Sequence, residues 1–161
     1  MNSFAIAVAA LLAASTASAA VLTPDDIARD IQKHGAKAVV DRLWNNNDWE
    51  RVMDHVDTGD ARWIALVPRL APGTDAGTAE ELPIALAFAL PRNPEAVLSV
   101  IGGKKGLRIA DVCSAPFIED TVPNIPAYIK RAEAAVSRVS DPALARTKTE
   151  CLEQLKTATM P

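Results

Sequence analysis

Residues 84–90 read Ile84-Ala85-Leu86-Ala87-Phe88-Ala89-Leu90, an unbroken run of apolar side chains. A helix that is apolar on every side has no face to give to water, so this stretch predicts the buried centre of an all-helical domain. Ahead of it, Thr78-Ala79-Glu80-Glu81 offers a capping box that would start the helix, with Thr78 as the cap and Glu81 three residues on. Pro83 falls a turn inside that start and should either kink the helix or move its beginning later.

Upstream, the segments have the 3.6-residue period expected of helices that cover such a centre. Thr23-Pro24-Asp25-Asp26 is a helix start: a Thr cap, Pro at the first helical position and acids in the first turn. Ile27 and Ile31 share one face, and His34-Gly35 ends the helix with a residue that tolerates positive φ. Ala36, Val39, Val40, Leu43 and Trp44 form the next stripe. Asn45-Asn46-Asn47-Asp48 is a turn, with Asp48 expected to cap a third helix that turns Trp49, Val52, Met53 and Val56 inward. Thr58-Gly59 stops it. Asp60 caps a fourth, expected to bury Trp63, Ile64, Val67, Leu70 and Ala71, and Ala71 to Gly77 is a loop.

Downstream, Asn93-Pro94-Glu95 starts a helix with Val97, Val100 and Ile101 inward, and Gly102 to Gly106 is a flexible turn. Leu107 to Cys113 fits neither the helical nor the strand period well; a short helix is the reading, with a strand as its rival. Pro116 to Pro126 is an irregular, Pro-punctuated connection. Ile125, Tyr128, Ile129, Ala132, Ala135, Val136 and Val139 make one further stripe. Asp141-Pro142 opens a last helix that turns Leu144, Cys151, Leu152 and Leu155 inward. Aromatic residues make up only 4% of the chain while Ala and Leu abound, which favours helix over strand. The expected fold class is therefore all-α: a compact domain of six to eight short helices with one disulfide, for which α-solenoid-like helical hairpins are one arrangement.

Arg62 to Ala71 followed by Thr78 to Leu90, with Leu66-Val67-Pro68 and Ala85-Leu86-Ala87, resembles one repeat of an α-solenoid of the HEAT type. The resemblance covers about thirty residues and implies that these two segments pair as a helical hairpin. No fixed period recurs along the chain.

The first nineteen residues carry no Asp, Glu, Lys or Arg. Phe4 to Ala14 is apolar, and Ser15-Thr16-Ala17-Ser18-Ala19 places small residues in the A-x-A pattern of a secretory signal, giving residues 1–19 as a leader and 20–161 as one helical domain. The apolar part is about eleven residues, whereas a spanning helix needs roughly 20, so removal is expected in preference to membrane anchoring. The Ala-rich form resembles a bacterial Sec signal, which implies the periplasm. In an oxidising compartment Cys113 and Cys151, the only cysteines, should bond to each other. There is no C-x-x-C and no His close to either in sequence, which disfavours a redox or nucleophilic role.

The formal charge of −3 argues against nucleic acid and against anionic membrane surfaces as partners. His34 and His55 both fall in last helical turns, where the helix dipole accounts for them. Asp54-His55-Val56-Asp57 has metal-ligand residue types without a recognised spacing. No G-x-S-x-G, phosphate-binding Gly loop or Cys/His array is present, so neither a catalytic residue nor a cofactor is expected. Candidate partner-binding residues are Trp44 and Trp49, which flank the Asn turn, and the Glu119-Asp120 pair in the Pro-rich connection. The reading favoured is a non-catalytic helical protein acting on a protein partner in the cell envelope: an inhibitor, an immunity-type protein or an adaptor. A carboxylate-dependent glycan hydrolase and a carrier of a small apolar ligand are the alternatives. The first requires two acids facing one cleft and the second an internal apolar cavity.

Overall fold

The computed structural model describes residues 22–103, 107–118 and 121–158. The expected leader and the Glu119-Asp120 pair lie outside the described residues. Among the described residues ten α-helices follow one another: α1 (Pro24–His34), α2 (Ala36–Asn45), α3 (Trp49–Asp57), α4 (Ala61–Ile64), α5 (Val67–Leu70), α6 (Ala76–Ala89), α7 (Pro94–Val100), α8 (Ile109–Cys113), α9 (Ile125–Ser137) and α10 (Ala145–Thr157). Short 3₁₀ turns, Ala71–Gly73 and Pro142–Leu144, precede α6 and α10. Seven of the α-helices have seven residues or more, within the expected six to eight, and α4, α5 and α8 are single turns. Among the described residues there is no strand, only one bridging pair, Ile101 with Leu107. The helix reading of Leu107 to Cys113 therefore holds, over Ile109–Cys113.

Local chemistry sets most boundaries. Thr23 Oγ1 accepts from the Asp26 N–H, Asp60 from Arg62, Asn93 from Ala96, Asn124 from Ala127 and Asp141 from Ala143, each satisfying a donor the helix leaves orphaned. Gly35, at φ +82° and ψ 157°, reverses the chain between α1 and α2 in a conformation open essentially to glycine alone.

Three boundaries differ from the sequence expectation. The capping box of α6 is Asp75 with Thr78: the Thr78 N–H donates to Asp75 Oδ1 and the Asp75 N–H to Thr78 Oγ1. An Asp-x-x-Thr pair satisfies the same two donors as Thr-x-x-Glu, three residues earlier, so Thr78 is a helical residue and not the cap. The helix then runs through Pro83 to Ala89. The expected fourth helix is broken into α4 and α5, because Pro68 has no N–H to give to the Ile64 carbonyl. Asp48 stands before α3 but makes no cap; its carboxylate pairs with Arg51 at 2.6 Å.

The order of packing puts α6 at the centre. It lies against α3 on one side and α8 on the other; α8 and α9 lie against α10; α1 and α2 pair with each other and lean on α5 and the following 3₁₀ turn. Helical hairpins form as α1–α2 and α9–α10. The HEAT-like pairing of Arg62–Ala71 with Thr78–Leu90 does not, since α6 takes α3 as its principal neighbour instead of α4 and α5. Leu82, Ala85, Leu86, Ala87, Ala89 and Leu90 are buried, as the apolar run predicts, whereas Ile84 and Phe88 of the same run are only part-buried, so α6 is not covered on every side. One core runs from Ile27 to Leu155 and includes Cys113 and Cys151.

Cys113 and Cys151 are bonded, with Cα atoms 5.3 Å apart. The bridge fastens α8, five residues long and too short to persist alone, to the last helix. Among the described residues, no helix is long and apolar enough to cross a membrane.

Candidate functional site

A groove of about 720 Å³ lies between α6 and α8, closed on a third side by the start of the Pro-rich connection. Helical periodicity builds it. The inward face of α8 carries Ile109, Val112 and Cys113, all buried, so Ala110, Asp111 and Ser114 are left to face the groove. From α6 come Ala79, Glu80, Pro83 and Ile84. Pro83 has no N–H for the Ala79 carbonyl, so one backbone acceptor of this wall lacks its intrahelical donor.

The third wall depends on one unusual residue. Ala115 follows α8 at φ +56°, and the Phe117 N–H closes a tight turn onto the Ala115 carbonyl at 2.8 Å. The turn sends Phe117 inward, where its ring meets Phe88 at 4.7 Å and Tyr128 edge-on at 4.6 Å. The next side chain in an extended segment must point the other way. That side chain is Ile118, 60% exposed at the rim of the groove. An aromatic anchor thus holds an isoleucine out in water.

Among the described residues, the charged side chains lining the groove are Glu80 and Asp111. Asp111 is engaged by Arg108, whose Nε donates to Oδ2 at 2.9 Å. Glu80 is exposed and makes no ion pair or hydrogen bond among the described residues. Leu107, Pro116 and Ile118 make the rest of the lining apolar.

The two tryptophans singled out by sequence lie in different surroundings. Trp44 is 54% exposed on α2, and Trp49 is 1% exposed. The shared patch expected of them does not exist, because Trp49 belongs to the buried stripe of α3 whereas Trp44, at the edge of its stripe, is left in water. The Trp49 indole N–H is buried and aimed at Glu81 without reaching hydrogen-bond geometry. Burial lifts the Glu81 carboxyl above its ordinary range; Trp49 opposes the shift and Glu50 adds to it. His55 stacks on Trp63, ring centroids 4.3 Å apart, and no group of three metal-ligating side chains occurs among the described residues.

Asp57, at the end of α3, is the other unusual carboxyl. Its Oδ1 is buried with no hydrogen-bond partner among the described residues. Burial, helped by Asp54 one turn earlier, pushes the Asp57 carboxyl up to about 7 against the pull of Arg92. Asp57 does not line the groove. Sequence reasoning passed over Ile84, Leu107 and Ile118 as site residues; the available signal was an isoleucine set between a proline turn and two acids, where a loop has no core to offer it.

No protein-family model matches the chain, and neither a curated protein nor a solved structure does.

Proposed function

We propose that this chain is an exported protein that works by binding a protein partner in the cell envelope, through the α6–α8 groove. The observation that carries the reading is Ile118: a large apolar side chain held in solvent by the Phe117 anchor, at the edge of an open, mainly apolar groove. Such surfaces are where partners bury area. The disulfide and the lack of a membrane-length helix among the described residues agree with export to an oxidising compartment.

The groove favours this reading over a glycan hydrolase. A hydrolase needs a raised carboxyl and a second carboxylate facing one cleft. Here the raised carboxyls are Asp57 and Glu81, neither of which lines the groove, and of the described acids that do, Asp111 is engaged by Arg108. The opening to solvent likewise suits a partner surface better than a closed carrier cavity.

The test is capture of partners from envelope extract by the mature protein and by Ile118→Asp and Ile84→Asp variants, with mass spectrometry. A partner held by the wild type and lost by both variants supports the reading. A partner retained equally by all three overturns the assignment of the groove. Amino-terminal sequencing of the native product tests export; a start at Ala20 is expected, and a start at Met1 with free thiols would refute it.

A further inference from the structure

One turn beyond Ile84 along α6, a second depression of about 400 Å³ lies beside the Pro-rich connection. Its apolar walls include Phe88, Pro91, Pro123 and Tyr128, and its cations are Arg92 and Arg131; among the described residues no Asp or Glu lines it. Tyr128 donates its hydroxyl to the Ala87 carbonyl at 2.8 Å, so it offers ring carbon to this space and no donor.

The two arginines differ from most others in the chain. Arg29, Arg42, Arg51, Arg62, Arg108 and Arg146 each hold a neighbouring carboxylate in an ion pair. Among the described residues Arg92 and Arg131 hold none. Arg92 is nevertheless fixed: its Nη1 donates to the Asp57 carbonyl at 2.6 Å and to the Phe88 carbonyl at 3.1 Å, at the ends of α3 and α6. Helix C-termini attract a cation in this way. Nε and Nη2 make no bond among the described residues, so a guanidinium whose position is already set keeps unused donors. Arg131, one turn along α9 from Tyr128, is exposed and close enough to act electrostatically on the phenol.

We infer that this pocket is a binding site for an organic carboxylate, an apolar or aromatic body carrying one carboxylate group. A guanidinium fork matches a carboxylate in shape and charge, and the ring and proline walls match the body. An inorganic anion would leave those walls unused, and a polyphosphate would exceed the charge of the arginines. The volume is at the small end for pockets that enclose small molecules. The carboxylate comes either from a free acid or from a peptide C-terminus. The site stands independently of the groove: it requires no protein partner there.

The test is titration of the full chain, followed by NMR shifts at Phe88, Tyr128 and Arg131, with N-acetyl-phenylalanine and with its amide. Saturable binding of the acid is expected, with the amide about tenfold weaker or worse. Arg131→Gln should cost a similar factor while leaving the thermal midpoint unchanged; Arg92 is avoided because it also secures two helix ends. Benzoate and a blocked tripeptide ending in a free carboxylate separate the sources: equal affinity assigns a small acid, tighter peptide binding a C-terminus. The inference is overturned if acid and amide behave alike, if neither binds, or if binding appears only after Glu119→Gln and Asp120→Asn. In that last case the chain's own acids are the occupant.

Discussion

The N-terminal hairpin and the C-terminal pair are fastened to the rest of the chain by different means. Helix α2 is seated without a covalent tie, by packing and by the Arg42–Asp30 ion pair to α1. The turn Ala71–Gly73 passes so close to its first residues that a Cβ on Gly73 would stand 2.4–2.6 Å from backbone atoms of Ala36 and Lys37. At the other end, α8 is held to α10 by a covalent bond. A ten-residue helix with a buried stripe offers more surface for packing to hold than a five-residue helix, which gains more from a covalent tie. The difference matters because the outer face of α8 is a wall of the groove. The candidate binding surface is built on the end of the chain that depends on oxidation.

The largest expected effect removes the covalent fastening. Cys113→Ala with Cys151→Ala should lower stability by about 4 kcal/mol, the chain-entropy value for a loop of this length. Hydrogen exchange should rise most in α8 and α10 and least in α1 and α2. Uniform loss of protection would show that the two ends do not differ. Gly73→Ala makes the reverse test. It forces backbone apart and should cost about 3 kcal/mol in urea denaturation, with the disulfide intact and exchange rising first in α1 and α2. Next is Asn93, which caps α7 and donates to the Gly59 carbonyl at 2.8 Å, tying α7 to the turn after α3. Asn93→Ala should cost about 2 kcal/mol, read as a thermal shift that spares both ends.

A smaller effect depends on pH. The Asp57 carboxyl ordinarily titrates at 3.8 and is raised to about 7 in the fold, so the folded state binds its proton more tightly than the unfolded state. Its favourable contribution is complete below about pH 4, declines as pH rises to about 7 and is absent above. With Asp57 part-exposed, the decline should be on the order of 1 kcal/mol. Urea midpoints at pH 5 and pH 8 should differ in the wild type and converge in Asp57→Asn. The Glu81 carboxyl, also raised, leaves a residual slope of the same sign. An unchanged slope in Asp57→Asn would assign the effect elsewhere. Smallest in stability is Ile118→Asp, expected within about 0.5 kcal/mol of wild type because the side chain is in water already. Its consequence should be confined to partner binding.

Much of the helical plan was legible because its signals are local. Thr23, Asp60, Asn93 and Asp141 bond backbone a few residues away, and the stripes of α3 and α9 are buried as their period requires. Where local signals competed, reading along the chain chose the wrong one: Thr78 for Asp75 as the cap, and one helix where Pro68 makes two. Trp44 and Trp49 have similar local credentials, yet one is in water and the other in the core.

An all-helical chain, a core built around residues 84–90 and cysteines able to bridge its end to its middle can all be read from the order of residues. That α6 lies between α3 and α8 and not beside α4 and α5, that Ile118 stands at the rim of a groove, and that Arg92 and Arg131 share a pocket follow from the packing. Periodicity says which face of a helix avoids water, but not which neighbour covers it. A groove is the place where no neighbour arrives, and that depends on every helix at once.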